Sequence, residues 1–146
     1  MNIVISTTVK NDIDTIWNGF DQTLFLKLAP PFPPVKLLRF DGCKTKDIVS
    51  LELNFLLFKQ EWTSEIIDSV RTEEENYFID KGTKLPFFLK TWYHKHRIVR
   101  TTCGAEIVDD VYFSSGYILI DWLLFPVLYL QFAYRIPIYK KIFNQK

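Results

Sequence analysis

YILIDWLLFPVLYLQFAY, Tyr117 to Tyr134, is the stretch on which the fold turns. It is apolar enough to cross a bilayer and nearly as long as the roughly twenty residues a spanning helix needs. Asp121, Pro126 and Gln131 interrupt it, and nothing else in the chain looks like a membrane partner for it. The favoured reading is a C-terminal helix buried in a globular fold. A helix greasy on all sides needs a second cover, so contact of its outer side with a membrane surface, or with a second copy of the chain as a homodimer, stays open beside that reading. The helix is expected to start at a cap in Ser114-Ser115-Gly116 and run to near Phe143, with kinks at Pro126 and Pro137. Arg135, Lys140 and Lys141 suit the negative end of its dipole.

Such a helix needs a surface to cover. From Val35 to Phe113 the pattern is that of strands, separated by the turn signals FDGCKTKD (from Phe40), RTEEEN (from Arg71), DKGTKLP (from Asp80) and RTTCG (from Arg100). That spacing predicts about six strands joined by hairpins. Upstream, Asn2 to Val9 read as a further strand. Asn11 and Asp12 are N-cap types, and Ile13, Ile16, Trp17 and Phe20 recur at helical spacing. Asp21 can cap a second helix carrying Leu24, Phe25 and Leu28, which the prolines of LAPPFPP must end. The two short helices form a clasp across one end of the sheet. An antiparallel sheet of this size must bury one face, and only the last helix is long and apolar enough to cover it. If the sheet curls around that helix and side chains do not fill the space between, the gap is a ligand cavity.

With 146 residues, 48% of them hydrophobic and 24% charged, the chain suits one domain spanning residues 1–146. A net charge of +1 excludes the broad basic field of a nucleic-acid binder. Cys43 and Cys103 lack CxxC spacing, so free thiols are expected. MNIVISTTVK lacks the basic start and cleavage site of a secretory leader, and the expected location is the cytoplasm.

TWYHKHRIV, Thr91 to Val99, carries both histidines of the chain. On a strand, Trp92, His94, His96 and Ile98 share one face, while Tyr93, Lys95 and Arg97 share the other. Lysine and arginine belong in water, so the histidines point inward. In the following strand the apolar set Cys103, Ala105, Ile107, Val111 and Phe113 takes Asp109 inside with it. A tight turn at Thr101-Thr102 sets His94 directly opposite Asp109. A carboxylate held against an imidazole raises the basicity of the ring, so His94 is expected to titrate above its ordinary value.

This cluster admits several chemistries. His94 and His96 could share an ion with Asp109, but His-x-His is a weak motif, and no metal and no cofactor are assigned. An imidazole oriented by a carboxylate is half of an acid–base arrangement, yet no GxSxG or similar motif supplies a nucleophile, and Thr63 and Ser64 read as structural. Trp62 and Trp92 either contact a ligand or pack the core. Arg135 binds a ligand carboxylate or forms a salt bridge.

LAPPF (from Leu28), FID (from Phe78), PFFLKTWYHKHRI (from Pro86), IVDDVYF (from Ile107) and FAYR (from Phe132) resemble, in order and spacing, a bacterial branch of the START-like or SRPBCC superfamily. The superfamily includes birch-pollen-allergen-like proteins, lipid-transfer domains and aromatic polyketide cyclases. The resemblance implies an α+β helix-grip fold: a seven-stranded antiparallel sheet wrapped around a long C-terminal helix, two short helices after strand 1, and an apolar cavity between. The motif positions it marks are Trp62, Asp80, Trp92, His94, His96, Asp109, Tyr134 and Arg135. Gly82 stands where the branch usually has glutamine, and Leu85 where it usually has glycine.

The expected function is binding of a small hydrophobic ligand such as a lipid or polycyclic aromatic. The ligand-binding residues are Trp62, Trp92, His94, His96, Asp109, Tyr134 and Arg135. The alternatives are a polyketide cyclase or dehydratase using His94 and Asp109 as general acid–base, and an interaction module for a membrane or a protein.

Overall fold

The computed structural model describes residues 1–145. Strand β1 (Asn2–Val9) leads into helices α1 (Ile13–Asn18) and α2 (Gln22–Leu28), followed by β2 (Val35–Phe40), β3 (Ile48–Asn54), β4 (Lys59–Arg71), β5 (Glu75–Lys84), β6 (Thr91–Thr101) and β7 (Gly104–Ser114). Helices α3 (Ile118–Ala133) and α4 (Arg135–Phe143) complete the described chain. The seven strands form one antiparallel sheet in the order β1-β7-β6-β5-β4-β3-β2, the architecture expected from the pattern of strands and helices.

Local chemistry accounts for the short helices. The Asp12 carboxylate accepts hydrogen bonds from the amides of Asp14 and Thr15, and the Asp21 carboxylate accepts one from Leu24. Each satisfies amides that the first turn leaves without partners. Pro30 and Pro31 follow the end of α2 and cannot continue it.

The C-terminal helix differs from the expected single rod. It breaks at Tyr134, three residues before Pro137. Proline there has no N–H for the carbonyl of Ala133, and its ring crowds that carbonyl, so the break falls one turn upstream. Pro126 remains inside α3 without dividing it. The N-terminal cap also differs. Ser115 supports Tyr117 through its hydroxyl, but Asp121 ties the helix to the sheet, accepting from the Ser115 amide (2.6 Å) and the Ser114 hydroxyl (3.3 Å). The acid that interrupts the apolar run is a buried anchor.

Two apolar clusters result. One joins the clasp to α4, with Ile13, Ile16 and Leu24 against Ile98, Ile107, Tyr139 and Phe143. The other joins β1, β6 and β7 to α3 through Ile3, Trp92, Phe113, Leu128 and Phe132. Only Asp121, Leu128 and Phe132 of α3 are buried, so the helix covers the sheet incompletely. A cavity of about 390 Å³ lies between them.

Candidate functional site

The β6–β7 ladder sets the site. Trp92 pairs with Phe113, His94 with Val111, His96 with Asp109 and Ile98 with Ile107, and all eight side chains are buried. A polar layer therefore lies between the two apolar clusters. The pairing corrects the expected register, in which His94 faces Asp109. Thr101 pairs with Gly104, so the turn residues are Thr102 and Cys103, one position later than expected. Gly104 has φ +147°, and its bare Cα lies against the Val9 carbonyl, a place open only to glycine.

Asp109 nevertheless bonds His94. Its Oδ1 lies 2.9 Å from His94 Nε2, 3.2 Å from His96 Nε2 and 3.4 Å from Arg135 Nη1. On its other side, His94 Nδ1 lies 3.1 Å from Asp80 Oδ2, whose second oxygen accepts from Trp92 Nε1 at 3.0 Å. Asp80, His94, Asp109 and Arg135 thus form a chain of alternating charge. Arg135 also lies over the Phe132 ring, its guanidinium carbon 4.3 Å from the ring centre.

Electrostatics separates the two imidazoles. Burial pushes His94 down, but hydrogen bonds to Asp109 and Asp80 together outweigh it and hold its pKa above the ordinary value. Of the two rings, His94 is therefore the one that keeps its proton to higher pH. Burial and the neighbouring His94 charge drive His96 well below the ordinary value, so it is neutral. Burial alone raises Asp109, yet the imidazoles and the Arg135 guanidinium more than reverse this, and it stays ionised. Tyr139, one turn beyond Arg135, has its hydroxyl buried without a hydrogen-bond partner, and burial first, then the Asp109 charge, pushes its pKa well up.

His94, His96 and Asp109 have ligand atoms close enough to share a cation. The Arg135 guanidinium, 3.4 Å from both Asp109 and His96, opposes one.

The cavity meets this cluster at Asp80, His94, His96 and Arg135, and is otherwise lined mostly by apolar side chains, among them Leu24, Leu51, Phe55, Trp62 and Leu128. Trp62 and Trp92 both line it, in T-shaped contact at 4.7 Å, with Trp62 Nε1 donating to Ser64 Oγ at 3.2 Å. Cys43 is a lining thiol whose pKa burial, Asp47 and Asp80 push to about 12. Cys103 is free as well. Asp109 stands one layer behind the wall.

Of the predicted site residues, Tyr134 alone is not brought to the cluster or the cavity. It sits at the break between α3 and α4 with its ring exposed, because the step of about 100° to Arg135 turns the two side chains to different sides. Asp80 and Tyr139 were not among the predicted ligand contacts. Asp80 shares a strand face with buried Phe78, and Tyr139 lies four residues from Arg135, so each had a periodicity signal.

The likeness to solved structures is one of fold. The di-domain aromatase/cyclase StfQ of the steffimycin biosynthetic pathway matches at TM-score 0.70 and 11% identity, over 97% of this chain and 50% of that one. Protein Ms6760 from Mycobacterium smegmatis matches at 0.65 and 16%, over 93% and 86%. The ZhuI aromatase/cyclase from a Streptomyces species matches at 0.64 and 12%, over 94% and 89%. No protein-family model and no curated protein sequence matches the chain.

Proposed function

We propose that this chain, which has the helix-grip fold of START-like proteins, binds a small hydrophobic molecule in the cavity between its sheet and α3. The observation that carries this reading is the cavity itself, about 390 Å³ and walled mostly by apolar side chains, within the range of about 300–1,000 Å³ usual for ligand sites. Affinity comes from apolar surface removed from water, at about 25 cal/mol per Å² before the costs of association. The ligand's polar end lies at Arg135, whose Nη1 is turned to Asp109 and His96 while its Nη2 makes no hydrogen bond among the described residues. A lipid or polycyclic aromatic bearing one oxygen function fits this wall. Free thiols at Cys43 and Cys103 are in keeping with a cytoplasmic setting.

The acid–base alternative has less support. Both nitrogens of His94 are taken up by carboxylates, leaving no position from which it can exchange a proton with a bound molecule. The cyclases of like fold bring that chemistry to mind through their names alone.

Titration with a polarity-sensitive apolar dye, 1-N-phenylnaphthylamine, tests the reading. Wild-type protein should bind it with enhanced emission, and Leu51→Trp, which fills the cavity from β3, should weaken binding at least about tenfold while keeping the circular dichroism of the fold. Equal binding by the two proteins refutes an internal site.

A further inference from the structure

Helix α3 carries far more exposed apolar surface than a core helix. Trp122 is 63% exposed and Leu123 74%, with Leu119, Val127 and Leu130 also exposed. The one acid between Tyr117 and Phe143, Asp121, is buried at the start of the helix. The exposed side of α3 therefore presents no negative charge.

A second apolar surface stands at the strand ends. Leu56 and Leu57 form the tip of the β3–β4 hairpin, Leu57 being 95% exposed, and Phe58 contacts exposed Phe87 of the β5–β6 connection with ring centres 5.9 Å apart. Both surfaces belong to the rim of one cavity. Phe55 and Phe88 line it from the strand ends, and Leu124 and Val127 line it from the helix. Water gains nothing by wetting this rim, and isolated proteins seldom leave large apolar surfaces bare.

Charge indicates what covers it. Lys90 lies beside Gly116 at the N-terminal end of α3, within 3.4 Å of where a Cβ on that glycine would stand, and Lys140 and Lys141 are exposed beyond its C-terminal end. None of the three forms an ion pair among the described residues. Exposed tyrosines 117, 129 and 134 and Trp122 add rings with polar edges, the side chains that settle at the headgroup level of a bilayer. Apolar side chains flanked by these lysines match an anionic phospholipid surface, which takes the former into its acyl boundary and the latter onto its phosphates.

We propose that the protein docks on anionic membranes through the outer side of α3 and the β3–β4 hairpin tip, lying in the plane of the interface with the cavity mouth against the lipid. An apolar ligand then passes between bilayer and cavity without crossing water.

Flotation with vesicles of phosphatidylcholine, alone or mixed with phosphatidylserine, tests this. The protein should rise with the mixed vesicles, more weakly with the neutral ones, and less at high salt. Leu57→Glu combined with Leu123→Glu should lower the floated fraction by about tenfold or more, since each leucine loses its burial. Neither residue lines the cavity, so the double variant should bind 1-N-phenylnaphthylamine like wild type, which shows that it is folded. Failure of the wild type to float with either vesicle overturns docking. So does a dimer in sedimentation velocity that the double variant dissociates, because a second copy then covers the face. A wild type that floats but does not bind the dye refutes the ligand site and leaves docking standing.

Discussion

His94 reaches Asp109 on the diagonal of the β6–β7 ladder: its direct partner is Val111, yet its Nε2 lies closer to the carboxylate, at 2.9 Å, than the directly opposed His96, at 3.2 Å. One oxygen thus lies within 3.2 Å of two ring nitrogens whose basicities are shifted in opposite directions.

The difference is measurable by NMR titration of the ring nitrogens. His94 should titrate above 6.5 and His96 well below it. Asp109→Asn should bring His94 down, because burial then faces only one carboxylate. An unchanged His94 in that variant would falsify the assignment of the proton.

Stability should peak near the ordinary histidine pKa of about 6.5. His94 is raised on folding, so its contribution is full below that value and is lost as pH rises through its folded pKa. His96 is lowered, so the unfolded chain takes up the proton first and stability falls as pH drops below about 6.5. Urea denaturation across pH should show both slopes in the wild type. His94→Gln should flatten the alkaline one.

Asp109→Ala leaves His94 and Arg135 without their shared anion in a buried layer. The expected cost is about 3–5 kcal/mol, read as a lower denaturation midpoint, whereas a surface pair such as Lys59–Glu52 should be worth about 1 kcal/mol or less. Equal losses from breaking the two pairs would contradict the buried network.

Gly104→Ala tests the turn. A Cβ there meets the backbone of Val9 and Lys10 at a φ that side chains avoid, so a loss of about 1–3 kcal/mol is expected, seen as a lower melting temperature. Gly19→Ala meets only the edge of the Phe143 ring and the Ile16 carbonyl at a negative φ, and should cost less.

Alternation made the inward faces of β6 and β7 legible from residue types alone, because Lys95 and Arg97 belong in water. The turn was harder to place, since Thr101, Thr102 and Cys103 have similar local preferences. Moving the tip by one residue shifts each partner by two, which preserves the face and changes only the neighbour. Hence the carboxylate–imidazole contact was foreseen while its register was not. The break at Tyr134 depends on Pro137 crowding a carbonyl four residues earlier, and two prolines in one helix left the sequence with two candidate kinks. Gly82 and Leu85 depart together from the resembled pattern for a reason only packing reveals. Leu85 lies directly on Gly82, where a Cβ would come 2.5 Å from its Cδ2, so a side chain at position 82 would have to displace that of Leu85.

The division of the terminal helix gives the molecule a fixed end and a loose end. Tyr139 and Phe143 root α4 in the clasp, whereas α3 is held by Asp121, Leu128 and Phe132 over nearly twice the length. Amide hydrogens of α3 should exchange with deuterium well before those of α4. The quicker-exchanging half is the roof of the hollow, so a guest can be admitted by local breathing while the foundation stays folded.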